Sequence, residues 1–478
     1  MTKGSIAGLK IAPLLAAMLA LGACLTPSQE LALGEQQHPQ VLKEMGGVYD
    51  EGPVDAYVAT VGGRLAANSD MPNLDFHFTV LDTPIVNAMA LPGGYVYVTR
   101  GLLALANDEA ELAGVLGHEI GHVTAHHTAE RYNRATLASI LSAGVGIATG
   151  SGALGQIAQQ GSQLYLLKFS RAQEYEADSL GVKYITRAGY DPMAEADFLH
   201  SLDRESKLAA KLAGEDARDH SSDFMSTHPL TTDRVVRART LAKETNVDPE
   251  SRPRRRDAYL NAIDGVIYGD EPKNGFIRGR TFSHPIQKFA FTVPPGFTLI
   301  NTAEAVGAKD ANGDIVVFDS DKETTRLSMT RYLESKAAGR LDLQNVESIK
   351  INGLPAATGS ARVSTNNGAA DYRLVMIRFD PSTVYRFQIL TKPDDTQRLG
   401  EALRRMTYSF HKLTDTQAAA LKPYRVRVVT VKPGDTVQSL AATMPFERDN
   451  IDRFLVLNGL ADDARLKTGE QVKVIREE

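Results

Sequence analysis

The run Gly117-His118-Glu119-Ile120-Gly121-His122 constrains this chain more than any other part of it. On a helix, residues four apart stand one turn above each other, so His118 and His122 project from one face toward a common point. Two imidazoles placed this way suit two of the four positions around a tetrahedral zinc ion. Glu119, one residue on, lies beside such a metal rather than on it, where it can take a proton from an activated water. The chemistry requires a helix here, and further ligands must come from elsewhere in the chain.

A second stretch, Ser170-Arg171-Ala172-Gln173-Glu174-Tyr175-Glu176-Ala177-Asp178, reads as the start of another helix that stops at Gly189. Glu174 and Asp178 are again four apart on one face. One carboxylate can ligate zinc, and the other can hold a histidine ligand by its second nitrogen, fixing tautomer and ring orientation. HExxH followed by Glu-x-Glu-Ala-Asp resembles the HtpX/BepA-type periplasmic zinc metallopeptidases, relatives of the CAAX prenyl proteases. The resemblance covers about Gly34 to Ala242. It implies one zinc per chain on His118, His122 and Glu174, with Asp178 supporting a ligand and Glu119 as the catalytic base. Thr227-His228-Pro229, with Arg234 six residues after the His, is similar to a His-Pro motif of soluble members. There the His approaches the zinc and the Arg lies in the active site. Asn87 to Gly94 resembles the family's substrate-binding edge strand, where an extended peptide can add through main-chain hydrogen bonds. A closed fourth position at His228 would make a latch, opened when a client adds to an edge at Tyr95–Thr99. His126 and His127 continue the histidine stripe and are read as polar rather than ligating. His38, His77, His200, His220, His284 and His411 have no ligand-like spacing.

The N-terminus suggests where such chemistry takes place. Lys3 and Lys10 precede the apolar run Ile11 to Leu21, which is too short to span a bilayer but suits a signal-peptide core. It ends in Leu21-Gly22-Ala23-Cys24, which resembles a bacterial lipobox, with Cys24 as the lipidation site and residues 1–23 as the signal peptide. Cys24 is the only cysteine, which fits an exported protein without disulfides. Leu25 after it implies the outer membrane rather than the inner by the usual sorting rule. A net charge of -5 gives no sign of a nucleic-acid partner. The one basic run, Arg252 to Arg256, reads as part of a solvated linker, with contact to anionic lipid as the alternative.

A chain of 478 residues needs more than one domain, and a multidomain α+β organisation follows. Residues 24–250 read as an α-rich gluzincin-type protease domain with a small β element. Its strands are expected at Leu74 to Val80 and at Tyr95 to Thr99. A helix should start after Asp108, with Glu111 completing a capping box, and Asp191-Pro192 should cap another. Ala135 to Gly150 reads as a buried helix or a lid over the cleft, with membrane contact as the alternative. Past a linker at Asp248 to Asp257, residues 263–413 read as an α+β domain without a chemical motif. Its central strands are Tyr372 to Phe379 and Val384 to Leu390, and its helix is Asp395 to Met406. The tail, residues 424–476, resembles a LysM module, a βααβ fold that binds N-acetylglucosamine polymers such as peptidoglycan. Pro445 and the charged segment Phe446 to Asp449 put glycan binding in question.

These features describe a lipid-anchored periplasmic zinc endopeptidase acting on misfolded or misassembled envelope proteins. The alternative is a chaperone or assembly scaffold for outer-membrane proteins with latent protease activity. A third possibility, a cell-wall hydrolase, fits the tail but not the HExxH pattern.

Overall fold

A computed structural model of the protein describes residues 26–131, 168–213, 228, 232–302, 305–322, 327–337, 341–365 and 368–478. The signal peptide, Cys24, the 135–150 segment, His220, Thr227 and Pro229 lie outside the described residues. Apart from two short segments earlier in the chain, a first unit ends at Ala262 and a second begins at Ile263.

The first unit is helical with one small sheet. Its elements are α1 (Pro27–Glu44), α2 (Val54–Ala67), β1 (His77–Leu81), β2 (Ala88–Leu91), β3 (Tyr95–Thr99), α3 (Arg100–Leu105), α4 (Glu109–Thr124), α5 (Arg171–Arg187), α6 (Ala194–Ala213), α7 (Thr232–Glu244) and α8 (Arg256–Ile263). The strand order is β1-β3-β2, so β3 runs parallel to β1 on one side and antiparallel to β2 on the other. Tyr95–Thr99 is therefore the central strand and not an edge. The turn at Gly93 and Gly94, with φ of +82° and +95°, folds it back along β2 while His77–Leu81 takes its far side. The edge belongs to β2, within the Asn87 to Gly94 segment. β1 itself starts at His77, because Leu74 is held in a turn by Met71.

α4 is buried from Glu109 to Val123. Asp108 caps it by accepting from the Glu111 N–H at 2.8 Å. The expected reciprocal half is absent, since the Glu111 carboxylate accepts instead from the Asn107 backbone and side chain at 2.9 and 3.2 Å. α5 carries a full capping box, Ser170 with Gln173, and Gly189 follows its end with φ of +86°. The face between α4 and α5 is glycine. A Cβ on Gly117 would stand 3.3 Å from the Gly181 carbonyl oxygen, and one on Gly121 would stand 3.1 Å from that of Ala177. Bare backbone lets the two helices approach closely, so that a side chain as short as aspartate can reach across.

The basic run is not a solvated linker. Arg254 donates to Asp108, Asp191 and Asp197 at 2.7, 2.8 and 2.9 Å, and Arg256 donates to the Asn107 carbonyl at 2.8 Å. Three aspartates gathered at the starts of α4 and α6 need a counter-charge, and the guanidinium's fixed fork supplies several donors at once. Tyr259 on α8 adds a hydrogen bond to the Leu103 carbonyl at 2.6 Å.

The second unit is mostly β. Besides short helical turns at Met329–Tyr332, Leu333–Ala337 and Asp415–Ala420, it contains β4 (Ile267–Tyr268), β5 (Phe276–Arg278), β6 (Thr281–His284), β7 (Phe289–Thr292), β8 (Thr298–Asn301), β9 (Val306–Lys309), β10 (Ile315–Lys322), β11 (Gln344–Ile351), β12 (Leu354–Thr365), β13 (Gly368–Asp380), β14 (Thr383–Thr391), α9 (Pro393–Ser409), β15 (His411–Lys412), β16 (Tyr424–Thr430), α10 (Val437–Ala441), α11 (Asn450–Leu457) and β17 (Gln471–Glu477). An antiparallel sheet runs β11-β12-β13-β14-β10-β9-β8, and a smaller one runs β15-β7-β6-β5. Between them lies an aromatic core of Phe282, Phe289, Phe291, Phe318, Phe387 and Phe410, closed by Leu399, Leu403 and Met406 of α9. The tail forms a βααβ unit in which β16 pairs with β17. β4 adds to the other side of β16, so the tail's first strand is paired on both edges. Among the described residues no helix is long and apolar enough to cross a membrane.

Candidate metal centre

α4 presents His118 and His122 one turn apart, with their Nε2 atoms 3.0 Å from each other. α5 brings Glu174 Oε1 to 3.5 Å from His122 Nε2. His228 adds its Nδ1, 3.4 Å from His118 Nε2 and 3.1 Å from Glu174 Oε1. All four residues are buried, and their donor atoms converge. A zinc ion holding N and O ligands at roughly 2.0–2.1 Å in a tetrahedron needs donors about 3.3 Å apart, which is the scale of this cluster. Neutral imidazole nitrogens this close repel through their lone pairs unless a cation or proton lies between them. Burial holds His122 well below the usual imidazole range, so it stands neutral, as a ligand must. Burial would raise the Glu174 carboxyl, but His228 and Arg234 beside it hold it well below the usual range, as a carboxylate.

The ligand side chains are held in turn. His118 Nδ1 donates to Asp178 Oδ1 at 3.0 Å. Arg234, on α7 and 1% exposed, grips Asp178 through Nη2 and Nε at 2.6 and 3.0 Å and reaches Glu174 Oε2 with Nη1 at 2.6 Å. His122 Nδ1 is 3.0 Å from His127 Nδ1, and His127 Nε2 is 3.3 Å from Glu176. Phe169 stacks on the His122 ring with centroids 3.8 Å apart, and the Arg131 guanidinium lies over Phe169. Glu119 is fully buried. Neither of its carboxyl oxygens has a hydrogen-bond partner among the described residues, and Oε1 is 3.7 Å from His228 Nε2. Burial, against the pull of His228 and His118, raises its carboxyl above the usual range. An orphaned buried acid beside converging donors is what a proton acceptor for a bound water requires.

Residues 54–242 match the model of peptidase family M48, and residues 429–474 match that of the LysM domain. This chain carries an M48 peptidase domain. It is 33% identical over 242 residues to the beta-barrel assembly-enhancing protease of Yersinia pestis, covering 48% of this chain and 47% of that one. The protein of the same name from Escherichia coli is 29% identical over 234 residues, covering 47% of this chain and 46% of that one. The mitochondrial metalloendopeptidase OMA1 of Schizosaccharomyces pombe is 31% identical over 227 residues, covering 46% of this chain and 64% of that one. The chain thus spans about half the length of the bacterial relatives it matches.

The M48 domain gathers every candidate metal and catalytic residue named from the sequence within the described part: His118, Glu119, His122, Glu174, Asp178, His228 and Arg234. Glu176 points elsewhere, bonded to His127 with its side chain 61% exposed. His126 pairs with Glu30 at 2.8 Å, away from the cluster. Two residues of the M48 domain's site were missed, Phe169 and Glu195, which belong to no motif. His127, read as polar, is held between His122 and Glu176. For Glu195 the only sequence signal is a pair of glycines, Gly114 and Gly181, on the two helices that face it.

Proposed function

We propose that this protein is a zinc-dependent endopeptidase whose metal is held by His118, His122 and Glu174. The observation that carries this reading is the convergence of four buried donor atoms beside an orphaned Glu119. Zinc there supplies Lewis acidity to a water and to a peptide carbonyl. Glu119 accepts a proton from the attacking water and returns it to the leaving amine. Asp178 holds the His118 ring in one tautomer, and Arg234 holds Asp178 and Glu174 together. An extended substrate would add along the outward edge of β2, whose four residues are buried in this structure. At that edge the Thr128 hydroxyl now donates to the Ala90 carbonyl at 3.4 Å.

The substrates we propose are misassembled envelope proteins, outer-membrane proteins among them, in keeping with the names of the bacterial relatives. A lipid anchor at Cys24 would hold the enzyme at the periplasmic face of the outer membrane, and the LysM domain would add contact with peptidoglycan. One observation favours a second reading, a binding scaffold with latent proteolysis. His228 completes the donor set, which makes a closed site of the structural type.

The experiment is a comparison of wild type with Glu119→Gln on an unfolded protein substrate, with zinc content measured alongside. Cleavage by wild type and its loss in a zinc-loaded variant support the enzyme. Equal turnover in both sinks the mechanism. No cleavage by zinc-loaded wild type or by His228→Ala leaves the scaffold reading.

A further inference from the structure

The buried cluster holds a fourth acid that the proposed reaction does not use. Glu195, in the first turn of α6, is 3% exposed, and no described group other than the neighbouring Asp178 carboxyl is placed to share a hydrogen bond with it. Its Oε1 lies 3.9 Å from His118 Nδ1, on the side of the ring away from the metal donors. A Glu195 oxygen, an Asp178 oxygen and a His118 ring nitrogen all lie within 4.8 Å of one another. The niche is cut for it. A Cβ on Gly114 of α4 would stand 2.9 Å from the Glu195 Cα, and one on Gly181 of α5 would stand 2.6 Å from its Oε2. Both helices give up a side chain where this residue enters. A carboxyl buried without partners costs several kcal/mol, and a leucine or methionine would fill the same space without that cost.

Asp178 gives the group something to do. Its Oδ1 takes His118 Nδ1 and Arg234 Nη2, and its Oδ2 takes Arg234 Nε. A carboxylate offers about four acceptor sites, so one more donor can be accommodated. We propose that Glu195 is a positioning residue of the metal centre, its carboxyl group donating a hydrogen bond to Asp178 and so fixing the carboxylate that orients His118. This rests on the zinc reading of the site. Hydrogen bonds behind a metal ligand hold its ring at the angle the metal needs. With Arg234 on one side and Glu195 on the other, Asp178 has no free swing.

The test compares full-length wild type with Glu195→Gln, Glu195→Ala, Glu195→Met, Asp178→Ala and the double variant Glu195→Ala/Asp178→Ala. The zinc dissociation constant is measured by competition with a chromophoric chelator, well below the unfolding temperature, and the thermal midpoint of each zinc-free protein is recorded. Glutamine keeps the shape and an N–H donor, so its zinc affinity should stay within about twofold of wild type, while alanine and methionine lose roughly ten- to a hundredfold. The loss should not add to that of Asp178→Ala, because both act through one contact. Should alanine not fold, methionine fills the niche and carries the comparison. The proposal is overturned by wild-type zinc affinity in the alanine or methionine variant, even with a lower midpoint, since that marks a purely structural role. It is equally overturned if glutamine loses as much as alanine, or if the double variant is additive. Failure of wild type itself to bind zinc would sink the zinc reading, and is distinguishable from all of these.

Discussion

Both units bury apolar side chains, but they differ in what else they bury. The second closes on phenylalanine rings, with Phe289, Phe318 and Phe387 within edge or face contact of their neighbours. The first buries Glu119, Glu174, Asp178, Glu195, Arg234 and the imidazoles of His118, His122, His127 and His228 in one cluster. Aromatic burial stabilises by removing apolar surface from water. Buried charge does the reverse unless it is paired, and an intact pair is weak support for a fold. Stability in the second unit is therefore intrinsic. Around the site of the first it depends on what the side chains hold.

The largest expected effect separates chemistry from folding within the first unit. Glu119→Gln should retain about one zinc per chain while cleavage of an unfolded substrate falls by roughly a hundred- to ten-thousandfold. Turnover and metal content on the same sample check this.

Chelation should break the symmetry between the units. A ligand that binds only the folded state stabilises it by about 4 kcal/mol when its free concentration is a thousand times the dissociation constant. Calorimetry with and without a chelator should show one transition moving and another staying. If both move together, the units unfold as one.

Acid should act on the second unit through His284. The ring is buried against Phe282 and Phe289, and its Nδ1 accepts the Gln287 N–H at 3.3 Å. Burial, partly offset by a hydrogen bond with the Lys273 backbone, lowers it from 6.5 to about 4. The unfolded chain then binds the proton more readily. The contribution is complete above pH 6.5, declines as pH falls and is gone below about 4, a loss of at most ~3 kcal/mol. Denaturant titrations between pH 7 and 4 should show it, and His284→Gln should flatten it.

Smaller effects sharpen the picture of the metal site. Glu174→Ala should weaken zinc retention outright. Asp178→Ala should cost roughly ten- to a hundredfold in zinc affinity or activity. Unchanged metal content in Glu174→Ala would remove it from the ligand set. The smallest change belongs to His228→Ala, a few-fold rise in cleavage or self-cleavage without loss of the metal, as expected if this ring blocks the fourth position. An inactive variant that keeps its zinc would instead give His228 a role in the reaction.

What could be read along the chain was what helical spacing makes local. His118 with His122, and Glu174 with Asp178, lie on one face at any tertiary arrangement, so their donor stripes were legible before folding. So were the Ser170 cap, the Gly189 stop and the βααβ order of the tail. Tertiary structure alone decided the rest. β3 became the central strand because β1, which precedes β2 in the chain, took its open side. Arg254 left the linker because three separate aspartates converge on it. Glu195 joined the site because α4 and α5 meet through glycines and admit α6 beside them. Spacing along one helix is a property of the backbone, whereas a neighbour from another element is set by how closely two backbones can approach, and no local pattern in the chain encodes that distance.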